Sequence, residues 1–199
     1  MIRVIVAYDA QLMRSALVEL LRSDDALDVS AASCLPRRQE RGALSPDVCV
    51  ADADSLEASV RGSRAALSDA CSEAALLVLA TPEKPGVLRK AFNAGALGYV
   101  DKDCSPCRLL EAIHTVAKGE RFIDESLAFG FLQAAEMPLT PRELSVLSLA
   151  AEGATIAEVA GDLHLSQGTI RNYMASVIRK VGARNRVDAI RIAQGAGWT

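Results

Sequence analysis

The stretch PDVCVADADSL, residues 46–56, joins an apolar run to a pair of acidic side chains. Val48 to Ala51 form an uninterrupted run of small or β-branched residues, which predicts a buried strand. That strand ends in Asp52, and Asp54 follows it closely. Because a buried charge is costly without a partner, the sequence predicts that polar groups from neighbouring strands gather at this end of a sheet.

Strands and helices alternate on both sides of this stretch. Further strands are predicted by the apolar runs at 3–7, 27–33, 76–80 and 97–100. Helical spacing predicts helices at 11–22, 84–94 and 105–118, the last capped by Ser105 with Pro106 at its first position, and weaker patterns predict poorly formed helices at 36–44 and 56–72. Leu12, Leu17 and Leu21 supply part of the apolar spacing in the first helix. Five continuous apolar strands separated by helices predict an α/β fold with a doubly wound, five-stranded parallel sheet covered on both faces.

The carboxyl ends of parallel strands are where such sheets place their ligand chemistry. Asp9 follows the first predicted strand, Asp52 and Asp54 follow the third, and Lys102 follows the fifth. The topology therefore brings three carboxylates and one ammonium to the same edge. The simplest alternative is a structural cluster of ion pairs, since buried charges need partners whatever their function.

The pattern changes at Met137, after which only helices are predicted. Thr140 to Glu143 is a capping box with proline at the first helical position, and its helix stops at Gly153. A short helix reaches Leu163, His164 and Leu165 form a tight turn, Ser166 caps a third helix, and a fourth spans about 186–194. This is the pattern of a helix-turn-helix domain. The predicted limits are 1–119 for the α/β domain, 120–136 for a linker with a helix over 125–135, and 137–199 for the all-α, four-helix domain.

The third helix of this domain has the residues of a DNA-reading surface. Its apolar side is Ile170, Met174, Val177, Ile178 and Val181. The predicted outer face holds Arg171 and Asn172, the residue types that read guanine and adenine, together with Ala175, Ser176 and Arg179. Phosphate contacts are predicted for Ser166, Thr169, Tyr173, Arg184 and Arg186. The alternative is an ordinary solvated face.

Charge and composition narrow the class of protein. The net charge is −3, yet residues 1–133 carry 15 Lys and Arg against 19 Asp and Glu, whereas residues 137–199 carry 7 against 5. A basic unit behind an acidic one favours a nucleic-acid partner for the second unit. The five cysteines, an odd number, and the absence of a signal-peptide or membrane-spanning pattern favour a cytoplasmic protein.

The segment LTPRELSVLSLAAEGATIAEVAGDLHLSQGTIRNYMASVIRKVGARNRVDAI, residues 139–190, resembles the LuxR-type helix-turn-helix domain. With the preceding α/β pattern, the whole chain resembles the NarL/FixJ class of bacterial response regulators. The resemblance implies a flavodoxin-like receiver domain, a sequence-specific DNA-binding transcription regulator, a double-stranded DNA operator, a homodimer and a sensor histidine kinase as partner. It places Arg171 and Asn172 in the major groove, and Ala175 stands where a further basic contact is usual.

The receiver resemblance also implies roles for the acidic edge. It makes Asp52 the phosphoacceptor, assigns Mg²⁺ to Asp9 and Asp52, and gives supporting roles to Lys102 and Tyr99. Several positions depart from the pattern: Tyr8 replaces one acid, Ala80 replaces the usual hydroxyl with Thr81 next to it, and Asp54 lies in a segment that is usually Met-Pro-Gly. Asp54 is therefore predicted as a substitute metal ligand. The departures make Mg²⁺ binding and phosphorylation at Asp52 open questions.

Two other functions compete with phosphorylation control. Tyr8 and Ala80 make the pocket more apolar, so a regulator switched by a small molecule, or one that is constitutively dimeric, fits the same residues. The dimer surfaces predicted are the helix at 105–118 and the fourth helix of the DNA-binding domain. An enzyme is not expected, because the chain has no Gly-rich phosphate loop and no nucleophile paired with a base.

Cys104 and Cys107 form a C-x-x-C pattern at a predicted helix start, which lowers thiol pKa values in redox proteins. Without flanking aromatic residues or a second pair, the preferred interpretation is two small residues tolerated at that helix start. His114 and His164 are isolated in the sequence and receive no role.

Overall fold

The computed structural model describes residues 1–33, 46–54 and 74–199. The chain divides into two compact units: residues 1–82 with 88–131, here called the receiver-like unit, and residues 83–87 with 132–199, here called the helical unit. The helices predicted at 36–44 and 56–72 lie outside the described residues. Within the described ranges, no helix has the length and apolar character needed to cross a membrane.

The receiver-like unit is built on a parallel sheet of six strands in the order β2-β1-β3-β4-β5-β6. Their bounds are β1 Ile2–Ala7, β2 Leu27–Ala32, β3 Val48–Asp52, β4 Ala75–Ala80, β5 Gly98–Asp101 and β6 Phe122–Ile123. The five predicted strands and the α/β class are confirmed. The count of five strands is wrong by one, because β6 lies in the segment predicted as linker and pairs with β5 through Gly98 and Phe122. A strand of two residues is too short to show any alternation in sequence.

Three described helices flank the sheet: α1 Gln11–Leu21, α2 Pro85–Asn93 and α3 Pro106–Ala117. Residues of α1 and α3 share one core with alternate residues of the strands, among them Val6, Val50, Leu77 and Leu79. Leu76 and Val78, one residue out of phase, are equally buried, and successive strand side chains point to opposite faces. Both faces of β4 are therefore covered, as continuous apolar strands require.

Two details of the helix predictions are wrong. Leu12 is 80% exposed, whereas Val18 and Leu21 are the buried residues of α1. Leu12 and Leu21 are nine residues apart, which places them on opposite sides of the helix. Ser105 stands at the N-cap position of α3, but its side chain makes no capping hydrogen bond. Pro106 at the first turn is as predicted.

The helix predicted over 125–135 is confirmed as a 3₁₀ turn, Glu125–Leu127, followed by α4, Ala128–Ala135. The Asp124 side chain accepts a hydrogen bond from the Ser126 amide at the start of the turn. Phe131 of α4 then packs edge-on against Tyr99 of β5, with ring centroids 5.0 Å apart. The first part of the predicted linker thus packs onto the sheet.

Four helices form the helical unit: α5 Pro141–Ala151, α6 Ile156–Asp162, α7 Gln167–Lys180 and α8 Arg186–Gly195. The capping box of Thr140 and Glu143 and the Ser166 cap are confirmed. A second capping box joins Thr155 to Glu158 at the start of α6. His164, at φ 53°, makes the turn between α6 and α7. The predicted helix-turn-helix arrangement is therefore present.

The core of the helical unit is assembled from all four helices. One cluster joins α5, α6 and α7 through Val146, Val159, Ile170 and Met174, among others. A second joins α5, α7 and α8 around Leu147, Val177, Ala189 and Ala193, and Trp198 packs against it. Since α7 contributes to both clusters, its orientation is fixed from two sides.

A buried carboxylate ties α5 to α7. Glu143 is 4% exposed, and its two oxygens accept hydrogen bonds from the Ser176 hydroxyl and the Lys180 ammonium, each at 2.7 Å. The backbone amide of Thr140 donates to the same side chain at 2.8 Å. Burial alone would raise the pKa of Glu143, but the hydrogen bonds from Lys180, Thr140 and Ser176 outweigh it and lower the pKa to about 2. Glu143 is therefore ionised wherever the fold is intact near neutral pH.

Acidification should destabilise the helical unit through Glu143. Its folded pKa of about 2 lies below the ordinary 4.5, so the stabilisation is complete above about pH 5 and is lost as the pH falls toward 2. The expected loss is of the order of 2–3 kcal/mol. Urea unfolding followed by the fluorescence of Trp198, the single tryptophan, measures it at several pH values.

Glu143→Gln should lower the free energy of unfolding at pH 7 and flatten the acid profile, whereas Glu152→Gln, at an exposed site, should leave both unchanged. Part of the slope should survive in Glu143→Gln, because backbone and side-chain hydrogen bonds from Arg184 and Arg191 also lower the pKa of Asp188 to about 2. An acid profile in Glu143→Gln identical to that of the wild type would contradict the assignment.

Candidate functional site

The polar residues predicted for one site end or follow adjacent parallel strands. Asp52 is the last residue of β3 and is paired in register with Leu79 of β4. Because β1, β3, β4 and β5 are all parallel neighbours in the sheet, their carboxyl ends lie at one edge. The residues at that edge are Tyr8 after β1, Asp52 in β3, Thr81 after β4 and Lys102 after β5.

Lys102 joins the two acidic residues of the opening stretch. Its Nζ lies 2.6 Å from Oδ1 of Asp52 and 2.8 Å from Oδ2 of Asp54. The Asp52 side chain is 9% exposed, whereas that of Asp54 is 36% exposed. The predicted meeting of Asp52 with Lys102 is therefore observed, and Asp54 belongs to the same cluster. We call these three residues the Lys102 triad.

The electrostatics of the Lys102 triad follow from partial burial and close charges. Burial alone would lower the pKa of Lys102, but hydrogen bonds from its ammonium to Asp52 and Asp54 raise it well above its usual range. Burial, and next the negative charge of Asp52, raise the pKa of the Tyr8 phenol. Lys102 is therefore charged and Tyr8 is neutral at physiological pH.

The residues predicted to hold Mg²⁺ do not fit a magnesium site. Asp9 is exposed, while one oxygen of Asp52 and one oxygen of Asp54 are engaged by the same ammonium. Within residues 1–33, 46–54 and 74–199, no group of three or more acidic, cysteine or histidine side chains is arranged to hold a metal ion. Mg²⁺ takes one or two carboxylates and completes its octahedron with water, but here the Lys102 ammonium already binds one oxygen of each carboxylate.

The two remaining receiver candidates differ in placement. Thr81 is half-buried directly after β4, next to the buried Ala80. Tyr99 is 1% exposed, and its hydroxyl donates a hydrogen bond to the Ala96 carbonyl at 3.0 Å. Burial raises the pKa of Tyr99 to about 12. Tyr99 is thus a buried, neutral aromatic residue of β5, and its ring packs against Phe131.

Cys104 and Cys107 are free thiols. Cys107 is exposed, whereas Cys104 is half-buried, and burial together with Asp124 and Asp101 raises its pKa. A raised pKa disfavours the thiolate that redox chemistry needs. The geometry therefore supports the interpretation of two tolerated small residues.

On α7, the predicted reading face is largely presented to solvent. Arg171, Asn172, Ala175 and Arg179 are all exposed. The Arg171 guanidinium donates to the Gln167 side chain at 3.4 Å, a weak contact one turn away. At the helix start, Ser166 accepts from the Thr169 amide at 3.1 Å, and their hydroxyls lie 2.9 Å apart. The basic face and the helix N-terminus are thus side by side.

Two residues of α7 predicted to contact DNA, Ser176 and Tyr173, are half-buried, unlike Arg171 and Asn172. Ser176 is half-buried and donates to Glu143, so its hydroxyl is engaged inside the helical unit. Tyr173 is half-buried and packs against the cluster around Val146 and Ile170. Both residues lie at the boundary between the inner and outer sides of the helix, where spacing alone does not decide the direction.

The two arginines beyond α7 also differ from each other. Arg186 donates to the carbonyl oxygens of Ala150 and Ala154, at 3.3 Å and 2.6 Å, so it caps the end of α5 and is not presented for a DNA backbone. Arg184 is exposed, with its guanidinium 3.3 Å from Asp188. Arg184 alone of the pair keeps the predicted placement.

Two contacts were missed by sequence reasoning. The ring of His114 on α3 lies 2.8 Å from Asp24, and a hydrogen bond from His114 lowers the pKa of that carboxyl. The role of Glu143 in holding Ser176 and Lys180 was also missed. Neither has a local signal, since the partners are 90 and 33–37 residues apart. The second capping box was missed as well, although the residues Thr155-Ile156-Ala157-Glu158 carry its local sequence signal.

Comparison with known proteins agrees with both units. Residues 137–193 match the family model described as bacterial regulatory proteins, luxR family. The response regulator RamR of Streptomyces coelicolor is 57% identical over 205 residues, covering 100% of this chain and 98% of that protein. The transcriptional regulatory protein DesR of Bacillus subtilis is 32% identical over 206 residues, with 100% and 99% covered.

Solved structures support the fold. The response regulator ChrA of a heme-sensing two-component system has a TM-score of 0.53 at 24% identity, covering 100% of this chain and 98% of that one. A complex of the response regulator RcsB with DNA has a TM-score of 0.61 at 21% identity, with 98% of both chains covered. With the residues above, these findings establish that the chain belongs to the NarL/FixJ class of bacterial response regulators, whose members bind DNA through a LuxR-type domain and regulate transcription.

Proposed function

We propose that this regulator reads its operator as a homodimer through the exposed face of α7, under the control of its receiver-like unit. The observation that carries the proposal is the exposure of Arg171, Asn172 and Arg179 together on the second helix of a helix-turn-helix. Such helices enter the major groove with their N-terminal residues against the bases. Two copies are needed because domains of this kind read paired half-sites.

The residues of the surface have different tasks in this proposal. Arg171 and Asn172, near the N-terminus of α7, contact base edges, which distinguishes one sequence from another. Ser166, Thr169, Arg179 and Arg184 contact phosphates, which positions the helix without reading sequence. Ser176 and Arg186 act indirectly, since their polar groups are bound to Glu143 and to carbonyls of the α5 end.

For control, the first candidate is phosphorylation of Asp52 by a sensor kinase. Asp52 ends a buried strand, and its carboxylate lies 2.6 Å from an ammonium that can neutralise added charge. The second candidate is control without phosphorylation, through a small-molecule ligand or constitutive dimerisation. It is favoured by Lys102, which also binds Asp54. It is favoured too by Tyr8, which supplies no negative charge where an acid is usual, and by Ala80, which supplies no hydroxyl where one is usual.

The proposal treats the chain as a regulator with no catalytic activity of its own, acting in the cytoplasm where operators are accessible. The relatives RamR and DesR are named as a response regulator and a transcriptional regulatory protein. The candidate dimer surfaces are α3 and α8, which each expose one side.

Arg171→Ala should relax sequence preference. Loss of a bidentate base contact costs about 1–3 kcal/mol at one position of the site, or roughly 5- to 150-fold in affinity. Arg179→Ala should instead weaken all sequences alike and reduce the salt dependence by about one counterion. Selection from a randomised operator library, followed by titrations at several salt concentrations, distinguishes the two.

Arg22→Ala is the matched control, because it removes the same charge from an exposed site on the receiver-like unit. Its operator preference and affinity should equal those of the wild type. If Arg171→Ala keeps the full preference of the wild type, α7 is not the reading surface that we propose.

The chain should be dimeric when bound to its operator. Multi-angle light scattering of the purified complex should give two copies for each operator, with half-sites about one helical turn apart. A complex with a single copy on the full operator would refute the homodimer.

The mode of control is tested by intact mass after incubation with Mg²⁺ and a small phosphoryl donor. Phosphorylation of Asp52 adds one phosphoryl group, about 80 Da, in the wild type and in Asp54→Asn but not in Asp52→Asn. No gain in the wild type supports the second candidate, and a thermal-shift screen against metabolites then follows. A gain that persists in Asp52→Asn excludes Asp52 as the acceptor.

A further inference from the structure

We propose that the ammonium of Lys102 is the built-in cation of the receiver pocket, so that this unit neither binds nor needs a divalent metal ion. The proposal concerns the three residues of the Lys102 triad and is independent of DNA binding. Under either mode of control, the Lys102 ammonium neutralises the two carboxylates at rest.

The geometry places the ammonium where a bridging cation would have to act. Lys102 Nζ is 2.6 Å from one carboxylate and 2.8 Å from the other, so a single positive group bridges Asp52 and Asp54. Both distances are those of short, charge-assisted hydrogen bonds. A metal ion that bound the same two oxygens, Oδ1 of Asp52 and Oδ2 of Asp54, would have to displace the ammonium from both.

If a metal ion displaced the Lys102 ammonium, that ammonium would remain beside the metal ion without its carboxylate partners. The Lys102 side chain is 23% exposed, so its ammonium is only partly hydrated where it stands. With a dication between Asp52 and Asp54, the same ammonium would face like charge in a partly buried site. The cost of that repulsion opposes metal binding, in addition to the loss of two ion pairs.

Among residues 1–33, 46–54 and 74–199, no third charged ligand is placed in the pocket to compensate. Asp9 is exposed, and Tyr8 offers only a neutral phenol. Among the residues that the structure describes, no three acidic, cysteine or histidine side chains converge. Magnesium usually keeps several waters and takes one or two carboxylates, but these carboxylates have to be free to accept it.

The Lys102 triad differs from a pocket that is switched by a bound metal ion. The charge of the Lys102 triad is set by covalently attached groups, so it does not vary with the concentration of divalent ions. Any agent that changes the state of this unit has to compete for Lys102 or act elsewhere on it.

Removing the ammonium should create the metal site that Lys102 replaces. In Lys102→Met, two neighbouring carboxylates lose their common cation and should recruit Mg²⁺. We would measure the melting temperature of the receiver-like unit, in the full chain, by differential scanning calorimetry with MgCl₂ and with NaCl of equal ionic strength. Lys118→Met, at the exposed end of α3, is the matched control.

The wild type and Lys118→Met should melt within about 1 °C in the two salts, whereas Lys102→Met should gain about 3 °C or more at about 10 mM MgCl₂. Lys102→Met combined with Asp54→Asn should lose that gain. Specific stabilisation of the wild type by Mg²⁺ would overturn the proposal. So would a lack of response in Lys102→Met, since the carboxylates would then form no cation site even without lysine.

If Lys102→Met does not fold, the wild type alone gives a decisive measurement. Mn²⁺ accepts the same oxygen ligands as Mg²⁺ and broadens the NMR signals of nearby amides. We expect the amide signals of Asp52, Ala53 and Asp54 to keep their line widths at equimolar Mn²⁺. Selective broadening of these signals would overturn the proposal. Operator binding is measured separately, so failure here leaves the proposed function of α7 intact.

Discussion

A carboxylate buried at the end of an apolar strand has to be neutralised, and this requirement organises the receiver-like unit. Asp52 ends β3, whereas its partner Lys102 follows β5, and β4 lies between the two strands. The ion pair therefore reaches across a whole strand. The last residue of β4, between the two, is Ala80, whose side chain is a single methyl group. The register of β3, β4 and β5 and the charge balance of the pocket thus depend on each other.

The helical unit obeys the same requirement with a different carboxylate. Glu143 is as deeply buried as Asp52, and the ammonium that neutralises it comes from Lys180 at the end of α7. Because Ser176 is held by the same carboxylate, one side of α7 is fixed against α5. Arg171, which lies about 140° around the helix from Ser176, is then directed to solvent, and Asn172 is exposed one turn before Ser176. A buried ion pair that contributes nothing to base contacts therefore determines which residues are available for them.

Local patterns predicted most of the fold because they record burial and capping. Continuous apolar runs identified five strands, and the Thr140 to Glu143 capping box located the start of α5. Features that depend on tertiary contact were missed. Strand β6 exists because β5 offers an unpaired edge, and nothing in two residues reveals that. Likewise, Arg186 has the charge of a phosphate contact, but its position beside the α5 end makes it a cap for backbone carbonyls.

The sequence predicted which residues meet in the candidate pocket, but it did not predict which group joins the two carboxylates. Spacing from strand ends brought Asp52, Asp54 and Lys102 to one edge, whereas resemblance suggested that metal would join the carboxylates. The departures at Tyr8 and Asp54 belong together in physical terms, because one removes a carboxylate from the β1 side and the other adds one beside β3. The number of negative charges is kept, but the added one is within reach of Lys102. A phosphoryl group on Asp52 would then have to draw Lys102 away from Asp54, so the substitution that preserves the charge of the pocket also raises the cost of switching it.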